Sequence, residues 1–139
     1  FREVSRITDV HFERKNISAA SKLLWLRYRS PFLIYDRNAR LALEHLSDTR
    51  IDVDYAEFER AWRAEYAKSE KLVADASDRL MDLRKNFSHV HDEASLRALT
   101  RQSWFRERIF DNYLWGVGGQ LMAAKLRSRS SSRDPSSEQ

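Results

Sequence analysis

Apolar residues recur at intervals of three and four along most of the chain, the repeat that lines one side of an α-helix. Val4, Ile7, Val10 and Phe12 set this spacing over 2–13 and predict a short first helix. Lys15 and Asn16 read as a turn. Asn16 or Ser18 is placed to cap a helix over 17–29 by accepting from its free backbone N–H groups. That helix carries Ile17, Ala20, Leu23, Leu24 and Tyr28. Trp25 and Leu26 widen its apolar face, which predicts a central position in the fold. Ser30-Pro31 stops it, because the residue before a proline is pushed out of the helical region. Phe32-Leu33-Ile34-Tyr35 follows as an apolar connector, expected to be buried. Asp36 then stands at an N-cap position ahead of a helix bearing Ala39, Leu41, Ala42, Leu43 and Leu46, and 47–51 reads as a polar loop.

The longest predicted helix covers 53–86 and starts at Asp52 or Asp54; Asp54 with Glu57 resembles a capping box. Its stripe runs through Tyr55, Phe58, Trp62, Tyr66 and Ser69, then Leu72, Val73, Ala76, Leu80 and Leu83. Its middle is thin in large apolar residues, which predicts exposure or a bend. After a break over 86–92, a short helix is predicted over 93–99. A last one is predicted over 101–126, with Trp104, Phe105, Ile109, Phe110, Tyr113, Leu114, Val117, Leu121 and Met122.

Composition agrees with this pattern. Three glycines and two prolines in 139 residues argue against sandwiches and barrels, which need many tight turns. The length suits one domain with one core. The reading is an all-α fold, a single orthogonal helical domain of five or six helices over 1–126. A disordered Ser/Arg-rich tail is expected over 127–139, where no apolar residue offsets the entropy of ordering. Cysteine is absent, which excludes disulfides, thiolate metal sites, iron–sulfur clusters and cysteine nucleophiles. That absence fits a reducing compartment, and the cytoplasm is the expected location. No apolar run approaches the roughly 20 residues of a membrane span, so no membrane association is expected. Residues 1–10 are charged and lack the apolar run of a signal peptide; the first residue is Phe1 and not Met, which leaves room for a longer parent protein.

The net charge of +4 is unevenly spread. Residues 1–50 hold ten Lys/Arg against six Asp/Glu, 51–100 hold eight against eleven, and 101–139 hold seven against four. Basic ends attract phosphates or anionic surfaces, and an ordinary solvated surface has the same composition.

One stretch stands out for chemistry. Ser21-Lys22-Leu23-Leu24 lies on a helix rich in small residues, the connector ends in Ile34-Tyr35-Asp36, and Asp36 opens the next helix. Far downstream stands Arg108-Ile109-Phe110-Asp111-Asn112-Tyr113-Leu114-Trp115. Together these segments, roughly 16–46 and 104–119, resemble the helix–hairpin–helix DNA glycosylase superfamily. Within it they look like bacterial proteins of uncharacterised function with the 8-oxoguanine-DNA-glycosylase-like fold. The resemblance implies Asp36 as the catalytic carboxylate, which activates water or an amine and stabilises the cation developing on the sugar. A helix N-terminus holds such a group ionised. It also implies DNA as partner, with Lys22, Arg27, Arg29, Arg37 and Arg40 as candidate contacts. A flipped-out base would meet stacking aromatics. No metal and no cofactor are implied.

Two departures limit the carry-over. The hairpin glycines are missing before Ser18, and the family's lysine nucleophile falls in register near Ile17 and Ser18, with Lys15 and Lys22 off register. This is the pattern of a catalytically degenerate relative. Gly116-Val117-Gly118-Gly119 resembles the missing hairpin, yet Gln120 stands where its lysine belongs; close helix–helix approach or a helix end is the favoured role.

Plainer roles exist for the same residues. Asp36 serves equally as an N-cap, Lys22 as a surface lysine, and Trp25 and Tyr28 as half-buried aromatics beside solvated arginines. Asp111 reads as a polar tie to Arg108 or Trp115. His89 and His91 flank Val90 and lack a firm third ligand beyond His11 or His45. The alternative function is a non-enzymatic interaction module that meets a protein partner through the 53–86 helix.

Overall fold

A computed structural model describes residues 1–12, 16–83 and 92–131. Among the described residues the fold is all-α, a single domain of six helices: α1 (Arg2–Phe12), α2 (Ile17–Tyr28), α3 (Arg37–Ser47), α4 (Tyr55–Arg79), α5 (Glu93–Thr100) and α6 (Ser103–Ser131). No described helix is long and apolar enough to cross a membrane.

Side-chain caps set most helix starts. The Asn16 side chain accepts from Ala19 N–H, while the Asn16 N–H donates to Asp9 Oδ1 at 2.7 Å and ties the end of α1 to α2. Asp36, Asp54 and Asp92 cap α3, α4 and α5. Only half of the expected capping box forms. Asp54 accepts from Ala56 and Glu57 N–H, but the Glu57 carboxylate reaches back to Asp52 N–H.

The closest helix pair is α3 with α6, and this corrects the expectation of a central α2. Gly118 is the reason. A Cβ at this buried position would lie 1.9 Å from the carbonyl oxygen of Asn38 and 2.8 Å from its Cα, so the two backbones touch where only hydrogen fits. Gly116 has no such neighbour. The core gathers around the pair: Leu33, Tyr35, Ala39, Ala42, Leu43, Ile51, Tyr55, Phe58, Trp62, Val73, Phe110 and Leu114 are buried together. Trp62 stacks on Tyr66 and meets Phe110 edge-on at 5.1 Å.

In α2 only the small face of Ala20, Ser21 and Leu24 is buried, and Leu23 and Leu26 are exposed. The connector alternates as an extended strand-like segment does. Leu33 and Tyr35 enter the core, while Phe32 and Ile34 stay half-buried on its other side. Two buried hydroxyls pin it. Ser21 Oγ accepts from Tyr35 N–H at 2.9 Å, and the Tyr55 hydroxyl accepts from Leu33 N–H at 2.9 Å and donates to Leu33 C=O at 3.2 Å. Burial pushes the Tyr55 phenol up to about 12.

Two helix ends and one helix face depart from the sequence pattern. The regular part of α4 ends at Arg79 and 80–83 form turns, because past Tyr66 its buried positions shrink to Val73 and Ser77. Ser77 is tied to α5 by its bond to Thr100 C=O at 2.7 Å. Helix α6 runs to Ser131, so the first residues of the segment read as a tail are helical; 132–139 lie outside the described residues. The expected apolar face of α1 is largely open, with Ile7 and Val10 exposed, although Phe1 stacks on Tyr55 at 3.7 Å.

Candidate functional site

Two helical faces converge on one cleft. Lys22, Trp25 and Leu26 project from α2 at intervals of three and four, and Arg108, Asp111, Asn112 and Trp115 do so from α6. Ile34, Asp36 and Ala39, from the connector and the start of α3, complete a space of about 540 Å³. That size lies within the range of small-ligand pockets, roughly 300–1,000 Å³.

Asp36 does two things at once. Its Oδ1 accepts from Asn38 N–H at 2.8 Å and caps α3, and its half-buried side chain lines the cleft. Oδ2 has no hydrogen-bond partner among the described residues. Asp111 is the more unusual carboxylate, being only 6% exposed. Its tie runs to Trp62, whose indole N–H donates to Oδ1 at 2.8 Å, and not to Trp115. Arg108 reaches Oδ2 only at 3.4 Å, the long end of the hydrogen-bond range. Burial pushes the Asp111 carboxyl up to about 6, opposed by the Trp62 bond and the Arg108 charge. Nearby Glu107 is also raised by burial.

Aromatic rings and cations interleave beside the cleft. The Arg29 guanidinium lies 4.5 Å from the Trp104 ring centre, Trp104 meets Trp25 edge-on at 6.4 Å, and Arg108 sits 5.9 Å from the Trp25 ring. Trp115 is 59% exposed and Leu26 72% exposed, both on the cleft wall.

The five expected cations are therefore not gathered in one place. Lys22 lines the cleft, and Arg29 joins it through Trp104 and Trp25. Arg37 is exposed at the first turn of α3, and Arg27 is exposed over its neighbour Tyr28. Arg40 stands apart from the others. Its guanidinium is held by Glu44 at 2.7 Å and by the Ile51 carbonyl, with its side chain 18% exposed, so it braces the loop after α3 and lines a separate hollow with Asp48 and Arg50. The cleft is also not basic, since Lys22 and Arg108 are matched by Asp36 and Asp111. The i, i+3, i+4, i+7 run from Arg108 to Trp115 was visible in the sequence. Its pairing with the run from Lys22 was not, because no local pattern states which helices meet.

A slightly larger hollow of about 590 Å³ lies beneath α1, between Phe1, Ile17, Phe32 and Tyr55. Apart from Arg2, its polar side chains already have structural partners. Asp54 caps α4, Asp9 holds Asn16, Arg6 pairs with Glu3 and Glu59 with Arg63. The α2/α6 cleft, with underused polar atoms and exposed indoles, is the better candidate. His89 and His91 lie outside the described residues, as does the His11 side chain; no cluster suited to a metal ion occurs among the described residues.

No protein-family model, curated protein or solved structure matches the chain.

Proposed function

We propose that the chain is a DNA-binding, glycosylase-like helical protein whose α2/α6 cleft receives an unstacked base. The observation that carries this reading is the lining itself: two tryptophans, two cations and two carboxylates on converging helical faces around about 540 Å³. Trp25 and Trp115 offer faces for a planar ring, Lys22 and Arg29 suit phosphate at the rim, and Asp36 stands by the mouth with one unengaged oxygen. In such a site Asp36 would stabilise positive charge developing on a sugar or accept a proton from attacking water. No lysine Schiff-base step is assigned.

The test is fluorescence anisotropy with labelled oligonucleotides: single-stranded, fully paired, and duplex with one mispaired base. With Lys22 and Arg29 on two phosphates, binding should fall about tenfold between roughly 50 and 200 mM salt. Trp115→Ala should weaken it by about 5- to 150-fold, the span of about 1–3 kcal/mol per stacked base. Lys22→Ala should flatten the salt dependence, and the exposed Arg60 of α4, mutated to Ala, should change nothing. Absence of binding to every oligonucleotide at low salt would sink the proposal. Base release, scored by alkaline strand cleavage and abolished by Asp36→Asn, separates an active enzyme from a degenerate one.

A second reading, a module for a protein partner, is favoured by the bare second half of α4, where Leu72 is 71% exposed. The readings part on DNA affinity: substitution at Trp115 lowers it only under the first, and Leu72→Lys under neither.

A further inference from the structure

We infer that Asp111 determines what the cleft accepts, by taking the hydrogen-bond donor edge of a flat heteroaromatic ring that carries a ring N–H beside an amino group. This rests on reading the α2/α6 cleft as a ligand site. It goes beyond it by naming the ligand's edge and the residue that reads it.

Asp111 is buried in α6, yet it lines the cleft. A buried carboxylate normally has both oxygens firmly held, because an unmet acceptor there costs more than an exposed one. Here Oδ1 takes the Trp62 indole N–H at 2.8 Å, whereas Oδ2 has only Arg108 at 3.4 Å. The Arg108 guanidinium is itself placed by the Trp25 ring and is 40% exposed, so it screens Oδ2 without saturating it. The other buried polar side chains on the core side show tighter contacts. Ser77 donates at 2.7 Å, and Ser21 accepts at 2.9 Å. Asp111 is thus left with accepting capacity in a space walled by two indoles.

Each carboxylate oxygen has two lone pairs, so adjacent ligand donors can meet Oδ2 and the second lone pair of Oδ1, beside its bond from Trp62, as parallel N–H bonds with both strength and directional selectivity. Trp25 and Trp115 favour a flat ring. A ring of the same shape without N–H groups would displace water from Oδ2 and return nothing, so the site discriminates by the donor edge. Asp36 also keeps one oxygen free beside its bond to Asn38, but it is more open to solvent, where water replaces a missing donor at little cost and selectivity is lower.

The probes are 2-aminobenzimidazole, which has the donor edge, and benzoxazole, a bicycle of similar shape with no N–H, each titrated against tryptophan fluorescence. The full chain should bind 2-aminobenzimidazole at least about tenfold more tightly than benzoxazole, the effect of one charge-assisted hydrogen bond. Asp111→Asn, confirmed folded by circular dichroism, should erase that preference, while Trp115→Ala should weaken 2-aminobenzimidazole binding by loss of stacking. Equal binding of both probes by the wild type overturns the inference without recourse to any variant. Retained preference in Asp111→Asn, or no binding of either probe at millimolar concentration, overturns it too. If the preference depends on Asp111 but no oligonucleotide binds, the donor-edge site stands and the nucleic-acid reading falls. If oligonucleotides bind and neither probe is preferred, the nucleic-acid reading stands and the donor-edge site falls.

Discussion

Asp111→Asn should make the protein more stable at neutral pH, and the size of the gain follows from where the carboxylate sits. The folded chain holds the Asp111 proton more tightly than a solvated carboxyl does, since burial raises its value from 3.8 to about 6. Between those values the folded state binds more protons than the unfolded state, so this group's contribution falls as pH rises. It is most favourable below 3.8, declines through the interval, and is fully lost above about 6. At 1.36 kcal/mol per tenfold, the rise corresponds to about 3 kcal/mol, of which about 2 kcal/mol falls between roughly pH 4 and pH 8. Asparagine keeps the shape, and its amide oxygen can still accept from the Trp62 N–H, so it removes the titration and leaves most of the packing. The assay is urea unfolding of both proteins across this range. Only the difference between them is read, because Asp92 and Glu3, whose carboxyls are lowered by Ser95 and Arg6, push the other way. The difference should widen in favour of asparagine by about 2 kcal/mol from acid to neutral pH. Parallel curves, with a gap constant to within roughly 0.5 kcal/mol, would refute the argument that Asp111 is held against its solvation preference.

Three more substitutions test the frame around the cleft by thermal or urea unfolding. Gly118→Ala places a methyl 1.9 Å from the Asn38 carbonyl oxygen, so α3 and α6 must part; a loss of about 3 kcal/mol or more is expected, and a neutral result would mean that the helices do not cross there. Gly116→Ala, with nothing within 4 Å, should instead stabilise by about 0.5–1 kcal/mol through helix propensity. Tyr55→Phe strips both Leu33 backbone groups of their partner and should cost about 1–3 kcal/mol; a cost near zero would show that water replaces the hydroxyl.

What the sequence made legible was local. The cap at Asp36 announces itself, and those at Asn16 and Asp54 narrow to two residues each, because a short polar side chain ahead of an apolar repeat has one obvious task; Asp92 reads only as the end of a break. The glycine run reads as close approach or a helix end, and Gly118 fulfils the first against Asn38 inside α6. The peripheral rank of α2 is hidden from the sequence for a physical reason. Trp25 and Leu26 widen its apolar face, but that width fronts a cleft and solvent, and apolarity does not distinguish a core wall from a pocket wall. The role of Arg40 is hidden because charge says nothing about commitment; Glu44 one turn on and the Ile51 carbonyl consume it. Of the partners of Asp111, Arg108 was legible one turn away, while Trp62 was beyond reach, since it lies 49 residues off and no spacing rule links them.

The cleft wall is built differently from the core. The core buries Phe58, Phe110, Leu33 and Leu114 almost completely, and its hydroxyls at Ser21, Ser77 and Tyr55 are matched to backbone groups. On the cleft wall, Trp115 and Leu26 stay exposed, and a buried carboxylate keeps one oxygen loosely held. Each feature is unfavourable for a helical domain with no occupant, and they share one space between α2, α3 and α6. The frame that holds this space is rigid where it must be. Gly118 sets the approach of α6 to the helix that Asp36 caps, and Ser21 ties the connector to α2. Changes at Gly118 or Ser21 should therefore alter ligand affinity without touching the ligand, whereas changes at Trp115 or Asp111 should alter affinity while leaving the fold intact or firmer.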